Sequence, residues 1–435
     1  APNWAVIMRL ILTLLVLSAA VALSWVENKE LQEHTVGKTP TSLPKVTVNL
    51  DLEPKDRWVD IAANFKQLAP AIMAYLESVI PKWAIPIVET IAADIRPYFG
   101  DEYGNEMVGL AQGLGLKVGD VVAMNLIYQL ESIGLNCSNW NNTGPTIPND
   151  PGCIAVDPKQ QWCYCKKHAD QIDTNGLLFP PAAQQQNGPG LCTSVVAQDN
   201  EGVVYHGRNL DWNLPSVIRK LAVDATFTRN NKTVFIGTTM VGFVGVINGM
   251  RRSADGSSST YSVSIDARGK GGKILDNLAE ALLHHGATPA QHLRSVFTSQ
   301  EAFDGAVTAL STGALIDEIY YISAGAKAGQ GVVISRDRND GVKSGEKADQ
   351  WFLNLTDPSG WYRLQTNYDH WQPVPKADDR RTPGYAAMNK MTRQGLTNDN
   401  LFAVMKTWPV FNHHTDYTGM IIPANGQYNS IIWMD

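Results

Sequence analysis

The residues that decide the fold occupy positions 192 to 212 and read Cys192-Thr-Ser-Val-Val-Ala-Gln-Asp-Asn-Glu-Gly-Val-Val-Tyr-His-Gly-Arg208-Asn-Leu-Asp211-Trp. Strand-like alternation on both sides of Asp199-Asn-Glu201 predicts a β-hairpin. Because antiparallel strands return the chain, the hairpin places Arg208 and Asp211 beside Cys192. We therefore expect a thiol, a guanidinium and a carboxylate to meet at one end of two paired strands.

This combination of groups is suited to nucleophilic catalysis by Cys192. An arginine lowers the pKa of a neighbouring thiol, and a carboxylate can orient an amine or a water molecule. The sequence around Cys192 lacks a papain-like context, and His206 is expected to point away. Cleavage directly before Cys192 would supply the base, because an α-amine titrates near pH 7.7–8.0. The pattern alone also fits a buried, inert cysteine beside a surface ion pair.

After the hairpin, the sequence predicts a group of strands, then a group of helices, then further strands. Predicted strands cover 221–228, 233–237, 241–247, 261–265, 318–323, 331–335 and 361–367, and predicted helices cover 274–285, 289–297 and 302–310. Thr288 and Pro289 are typical of the N-cap and first residue of a helix. Strands, then helices, then strands predict an α+β domain in which helices cover sheets.

The region before the hairpin is predicted to be mainly helical. A strand is expected at 45–50, followed by helices over 58–99 that are interrupted at prolines, and by helices at 104–116 and 118–131. The apolar side chains of 72–88 either pack on a core or form a patch that docks on a membrane surface or a lipid carrier. The sequence leaves both alternatives open.

Composition and charge exclude several classes of protein. The chain has 435 residues, of which 44% are hydrophobic, so it is neither disordered nor fibrous. Its net charge of −6 provides no basic excess for phosphates, so we expect no nucleic-acid partner.

The N-terminal residues and the sequons predict a secretory route. Met8-Arg9 precedes an apolar run at 10–22 that is short for a membrane span, so residues 1–25 are interpreted as a signal peptide with Met8 as its start. A single membrane anchor is the alternative. Four Asn-x-Ser/Thr sequons are glycosylation candidates, at Asn136, Asn141, Asn231 and Asn354.

Four of the five cysteines, Cys137, Cys153, Cys163 and Cys165, lie close together. In an oxidising compartment they predict two local disulfides with three possible pairings. A zinc site at Cys163, Cys165 and His168 fits the usual ligand spacing poorly, so we expect no metal. Cys192 is then the odd cysteine and a candidate reactive thiol.

Three further motifs accompany Cys192-Thr-Ser194. They are His206-Gly-Arg-Asn-Leu-Asp211, Gln365-Thr-Asn-Tyr-Asp-His-Trp371 and Asp378-Asp-Arg-Arg-Thr382. With them, residues 47–418 resemble the family of acid ceramidase and N-acylethanolamine-hydrolysing acid amidase. These enzymes are N-terminal-nucleophile hydrolases related to choloylglycine hydrolases. The resemblance implies a four-layer αββα fold with an N-terminal helical subunit, and no cofactor.

The resemblance also implies self-cleavage between Leu191 and Cys192. Residues 26–135 are then an N-terminal α-subunit, 136–191 a cysteine-rich insert and linker that ends at the cleavage site, and 192–435 the catalytic β-subunit. The two products stay together as a heterodimer. Because the catalytic segment contains only Cys192, no disulfide can join them without consuming the nucleophile.

The implied activity is hydrolysis of a lipid amide, an N-acylethanolamine or a ceramide, in the lysosome or outside the cell. By resemblance, Cys192 attacks the amide and forms an acyl-thioester, Arg208 positions the thiol, and Asp211 binds the α-amine. Asn367 donates to the oxyanion, and Arg380 is a further polar residue of the site.

Two departures from the family bear on this prediction. Relatives lack an insert at 136–190, and they carry a glutamate where Ala267 stands. These two departures motivate one alternative function, an inactive lipid-binding glycoprotein of the same fold. A further alternative is an amidase for other linear, bile-acid-like amides.

Overall fold

A computed structural model describes residues 38–79, 99–131, 153–157, 162–165, 191–212, 214–268, 287–338, 340–341, 347–375 and 378–435. The predicted signal peptide, most of the cysteine-rich insert, the predicted helix at 274–285, and Asn136 and Asn141 lie outside these residues.

Sixteen strands are present in the described residues. They are β1 (Thr39–Ser42), β2 (Lys45–Asn49), β3 (Cys153–Asp157), β4 (Trp162–Cys165), β5 (Leu191–Gln198), β6 (Val204–Asp211), β7 (Ala222–Arg229), β8 (Lys232–Met240), β9 (Asn248–Arg252), β10 (Ser259–Ala267), β11 (Ile319–Gly325), β12 (Gly331–Arg336), β13 (Asp349–Phe352), β14 (Tyr362–Gln365), β15 (Thr415–Ile422) and β16 (Gln427–Met434).

Nine α-helices accompany the strands in the same part of the chain. They are α1 (Val59–Ala63), α2 (Ala69–Val79), α3 (Gly100–Leu114), α4 (Val118–Glu131), α5 (Ser216–Arg219), α6 (Pro289–Ser299), α7 (Phe303–Leu310), α8 (Arg381–Met391) and α9 (Asn398–Met405). Short 3₁₀ turns lie at Pro54–Asp56, Lys66–Leu68 and Pro423–Asn425.

Two large sheets pack face to face. Sheet A has the order β1-β16-β15-β6-β5-β14, and sheet B has the order β13-β12-β11-β10-β9-β8-β7-β2. Side chains alternate between the two faces of each strand, so Ser194 and Val196 of β5 face sheet B, whereas Val195 and Ala197 face outward. The inner faces meet at Val196, Ile322 and Val333, which are fully buried.

Helices cover the outer face of each sheet. On sheet B, Phe297 of α6 stacks on Phe235 of β8 at a centroid distance of 5.3 Å. On sheet A, Met388 of α8 and Leu401 of α9 pack against Val195. The layers are therefore helix, sheet, sheet and helix, which confirms the predicted α+β class and its αββα arrangement.

Local sequence accounts for several of these elements. Thr288 caps α6: its hydroxyl accepts from the Gln291 amide in a capping box, with Pro289 as first helical residue, as predicted. The predicted strand at 241–247 is wrong. Residues 241–247 contain a turn at 241–242 followed by irregular backbone, because Gly242 has a φ of +108° and ends the extended run.

The N-terminal region contributes strands as well as helices. Strand β1 pairs antiparallel with β16 at the edge of sheet A, and β2 pairs parallel with β7 at the edge of sheet B. In the described residues, no single helix has the length and apolar character to cross a membrane. One bent pair, α3 with residues 118–125, meets that length and composition test together.

Candidate active site

Each polar atom of Cys192 has its own partner at the start of β5. The backbone N–H donates to Oδ1 of Asn367 over 2.6 Å, and the carbonyl accepts from Nη1 of Arg380. The thiol lies 3.5 Å from Nη2 of Arg208. The side chain of Cys192 is completely buried, so these contacts fix its orientation.

The hairpin forms as the sequence predicts and positions two of these groups. Strands β5 and β6 pair in register, with Cys192 opposite Leu210 and Leu191 opposite Asp211. Arg208 projects between the sheets, where Nη2 also donates to the Ile265 carbonyl over 2.8 Å. The scissile peptide proposed from the sequence therefore lies within a paired strand.

Asn367 and Arg380 come from the loops that follow β14 and precede α8. Arg380 forms a two-pronged ion pair with Asp378 and donates to Asn367 Oδ1 over 2.7 Å. The Asn367 amide nitrogen donates to the Ala267 carbonyl over 2.7 Å. Because two donors face Oδ1 and a carbonyl faces Nδ2, this network fixes which way the amide points.

Asp211 enters the site beside Arg380. Its Oδ2 lies 3.6 Å from Nη1 of Arg380 and accepts from Asn412 over 2.8 Å, and its Oδ1 accepts from Thr415 over 2.6 Å. Burial raises the pKa of Asp211 to about 6, while Arg380, Thr415 and Asn412 oppose the increase. A role for Asp211 toward the α-amine stays a prediction.

Burial also controls the thiol. Desolvation raises the pKa of Cys192 to about 12, against the opposing effect of the Arg208 charge. In the uncleaved chain the thiol is therefore neutral, and a nucleophilic attack needs a group that takes its proton.

Sequence analysis missed two polar residues beside this centre. Ser194, on β5, donates to Oδ1 of Asp266 over 2.8 Å, and the same oxygen lies 3.6 Å from Nε of Arg208. Both residues are fully buried. Ser194 belongs to the quoted Cys-Thr-Ser motif, but nothing in the sequence indicated that Asp266 would lie beside Arg208.

The remaining predicted sites lie elsewhere. Asn231 is exposed in the turn between β7 and β8, and Asn354 is exposed after β13, so both are accessible for the glycosylation that remains a prediction. His206 lies between Ser262 and Ser264 in the interior. In the described part of the chain, no group of three or more His, Cys, Asp or Glu side chains could hold a metal.

Comparison with known proteins finds similarity to N-acylethanolamine-hydrolyzing acid amidases and to acid ceramidases. A family model for the beta subunit of N-acylethanolamine-hydrolyzing acid amidase matches residues 41–99, which lie within the predicted N-terminal α-subunit. The N-acylethanolamine-hydrolyzing acid amidase of Oryctolagus cuniculus is 31% identical over 395 residues, which cover 90% of this chain and 89% of the relative. The acid ceramidase of Mus musculus is 27% identical over 415 residues, 89% of this chain and 86% of the relative.

Among solved structures, the Caenorhabditis elegans ortholog of N-acylethanolamine-hydrolyzing acid amidase matches with a TM-score of 0.48 and 29% identity, over 55% of this chain and 99% of that chain. The identity to the rabbit amidase, spread over nine-tenths of both sequences, confirms the resemblance drawn from the motifs. The chain belongs to the family of N-acylethanolamine-hydrolyzing acid amidases and acid ceramidases, hydrolases of the carbon–nitrogen bond in linear amides.

Proposed function

We propose that this chain hydrolyses the amide bond of N-acylethanolamines, with Cys192 as an N-terminal nucleophile that self-cleavage exposes. The observation that carries the proposal is the separate fixation of three atoms of Cys192. Its nitrogen is held by Asn367, its carbonyl by Arg380 and its sulfur by Arg208. A structural cysteine needs none of these contacts, whereas a nucleophile needs its attacking atom and its base fixed.

Self-cleavage starts with attack of the Cys192 sulfur on the Leu191 carbonyl carbon. The C–N bond between the two residues breaks, the nitrogen takes up the thiol proton and leaves as an amine, and a thioester forms. Water then hydrolyses the thioester, giving a Leu191 carboxylate and the free thiol. The new α-amine starts next to Asn367 Oδ1, which accepts from the same nitrogen before cleavage.

Hydrolysis of the lipid uses the same residues. The α-amine takes the thiol proton, the sulfur attacks the amide carbonyl, and an N–H of Asn367 stabilises the oxyanion. The protonated amine then passes its proton to the leaving ethanolamine. Water, deprotonated by the α-amine, attacks the acyl-thioester and releases the fatty acid.

Similarity supports N-acylethanolamine over ceramide as the substrate. Identity is 30–31% to mammalian N-acylethanolamine-hydrolyzing acid amidases and 25–27% to acid ceramidases. The subunit named by the family model supports a two-chain processed form. The acid enzymes among the relatives and the exposed sequons support a lysosomal or secreted protein that approaches its substrate at a membrane surface or on a lipid carrier.

The test compares purified precursor with Cys192→Ala at acidic pH. We expect a large fragment that begins at Cys192, and release of fatty acid from an N-acylethanolamine, in the wild-type protein alone. N-terminal sequencing and intact mass identify the fragment, and mass spectrometry counts the fatty acid. Because Cys→Ala leaves the buried contacts of β5 largely intact, thermal unfolding of the variant serves as the folding control.

Either of two results would contradict the proposal. Identical cleavage of the wild-type protein and Cys192→Ala would show that Cys192 does not carry out the cleavage. A processed protein that binds lipid but does not hydrolyse the amide would favour the alternative function, an inactive lipid-binding glycoprotein. The observation that favours this alternative is Ala267, which replaces the family's glutamate. Parallel assays with ceramide and with a bile-acid amide decide between the substrate classes.

A further inference from the structure

Asp266 lies on the inner face of sheet B, at the end of β10, one residue before Ala267. Its Oδ1 accepts from Ser194 Oγ over 2.8 Å and lies 3.6 Å from Nε of Arg208. Arg208 in turn reaches the thiol of Cys192. Asp266 therefore contacts Arg208 and not the thiol, which makes it a positioning residue.

A hydrogen-bonded chain extends from Asp266 into the space between the sheets. Ser194 Oγ is 3.1 Å from Ser264 Oγ, which is 3.0 Å from Nε2 of His206. Nδ1 of His206 is 2.9 Å from Ser262 Oγ, and that hydroxyl is 3.5 Å from the Ala324 carbonyl. All of these side chains are at most 1% exposed.

Counting hydrogens gives this hydrogen-bonded chain two arrangements that satisfy every contact of 3.1 Å or less. Only when Asp266 is protonated can Ser262 also donate to the Ala324 carbonyl. When Asp266 is ionised, His206 Nε2–H donates to Ser264, Ser264 to Ser194, and Ser194 to the carboxylate. When Asp266 is protonated, every bond reverses: the carboxyl donates to Ser194, Ser194 to Ser264, and Ser264 to Nε2. His206 then carries its hydrogen on Nδ1 and donates to Ser262, which donates to Ala324.

A hydrogen on Oδ2 of Asp266 would find no acceptor among the described residues, so the acid proton belongs on Oδ1. Because a hydroxyl donates one hydrogen, only these two arrangements then satisfy all of the short contacts. A neutral His206 can adopt either tautomer, and burial keeps it neutral by lowering its pKa to about 3. The protonation state of Asp266 is thus coupled to the tautomer of His206.

We propose that Asp266 sets the charge beside Arg208, and through it the reactivity of the Cys192 thiol, while the Ser194–Ser264–His206 chain lets Asp266 gain or lose a proton without losing any of the short hydrogen bonds. The proposal rests on Cys192 as the nucleophile. The proton comes from solvent and is added at Nδ1 of His206. The Nε2 hydrogen passes to Ser264, the Ser264 hydrogen to Ser194 and the Ser194 hydrogen to Oδ1 of Asp266, so one proton is gained and no co-reactant is needed.

The charges around Asp266 determine whether its protonation raises or lowers the pKa of the Cys192 thiol. The titratable and charged groups that face it or its partners are Cys192 on β5, His206, Arg208 and Asp211 on β6, Tyr320 on β11, Tyr417 on β15, and Arg380. Burial raises the pKa of Asp266 to about 6, and the ionised carboxylate raises the pKa of the Cys192 thiol. Protonation of Asp266 therefore makes the thiol more acidic.

The experiment measures the alkylation rate of Cys192 by iodoacetamide between about pH 4 and 9, followed by the mass of the peptide that contains it. We expect a strong inflection near pH 6 in the wild-type protein and a weaker one in Asp266→Asn, because Asp211, whose pKa burial also raises to about 6, acts on the same thiol. In Ser264→Ala, which removes no charge, the protonated carboxyl loses its chain of acceptors. The inflection should then move to lower pH by about one unit.

Ser323→Ala is the matched control. Ser323 is equally buried and donates to the Ser262 carbonyl over 3.0 Å, but it lies outside the chain. Identical profiles for Ser264→Ala and Ser323→Ala would overturn the coupling through Ser264. An inflection of undiminished size in Asp266→Asn, or a wild-type thiol that reacts at no pH, would overturn the effect of Asp266 on the thiol. The assay uses no lipid, so loss of amide hydrolysis alone contradicts the proposed function and leaves this inference standing.

Discussion

Two buried clusters of charge in this molecule follow opposite rules. In the first cluster, Glu106 accepts four hydrogen bonds: Oε1 from Arg57 and Arg294, and Oε2 from Trp58 and Arg294. In the second, around Cys192, Arg208, Asp211 and Asp266, some contacts are long, and Oδ2 of Asp266 has no hydrogen-bond partner among the described residues.

The balance of charge separates the two clusters. Two arginines lower the pKa of Glu106 even though its burial opposes the decrease. In the second cluster burial outweighs the cations, so the pKa values of Asp211 and Asp266 rise to about 6. Full pairing thus locks one charge state and stabilises the fold, whereas partial pairing leaves groups that titrate and react.

The Glu106 cluster also joins the two halves of the chain. Arg57, Trp58 and Glu106 precede the proposed cleavage site, and Arg294 follows it. Together with β1 and β2 at the edges of both sheets, this ion pair explains how two cleavage products could remain associated without a disulfide.

The largest effect on stability is expected from Glu106→Gln. It leaves Arg294 buried without its counter-charge, which should lower the free energy of unfolding by about 3–5 kcal/mol. Chemical denaturation measures it. Glu102→Gln is the control, because Glu102 pairs with the same Arg57 but is half exposed, and it should cost about 0–1 kcal/mol. Equal losses in the two variants would show that the Glu106 cluster is not a specific clamp.

The intermediate effect concerns Asn367, which accepts from the Cys192 nitrogen and is proposed to donate to the oxyanion. Asn367→Ala should lower kcat by about 10²–10³-fold, the usual cost of an oxyanion donor. Asn367→Asp keeps the acceptor for the Cys192 nitrogen but removes the donors, and we expect it to lose as much. Steady-state hydrolysis of an N-acylethanolamine by processed enzyme measures both. Activity retained in Asn367→Asp would mean that Asn367 serves only as an acceptor.

The sequence predicted the parts of this molecule that depend on neighbours along the chain. The hairpin of β5 and β6 has alternation and a polar turn, and α6 has its cap at Thr288. Helix α8 was not predicted, because Pro383 and Gly384 interrupt its first turn and its buried residues include Arg381. Strands β13 and β16 were also missed; β13 is short and half exposed at a sheet edge.

The candidate site divides in the same way. Cys192, Arg208 and Asp211 could be brought together from strand register alone, whereas Asn367 and Arg380 came only from the family resemblance. For Asp266 the only signal was its place beside Ala267, where the family carries a glutamate. Its contacts with Ser194 and Arg208 depend on packing of two sheets whose strands are distant in sequence, and a single sequence does not encode that packing as a local pattern.

The smallest effect is on the pH dependence of stability. Acidification should stabilise the protein through Asp211 and destabilise it through Glu106. Since folding raises the pKa of Asp211, its contribution to stability is full below about pH 4 and is lost as the pH rises through about 6. Folding lowers the pKa of Glu106, so its contribution is present above about pH 4.3 and is lost on acidification.

Between pH 7.5 and 5 the wild-type protein should therefore gain thermal stability, by about 2 °C for each such aspartate. Asp211→Asn should gain less over this interval, because one titrating group is gone, and Asp60→Asn, on the exposed side of α1, should match the wild type. Differential scanning fluorimetry at the two pH values measures the shifts. An equal gain in Asp211→Asn and wild type would show that Asp211 is held ionised by Arg380, Thr415 and Asn412, and that the second cluster follows the same rule as the first.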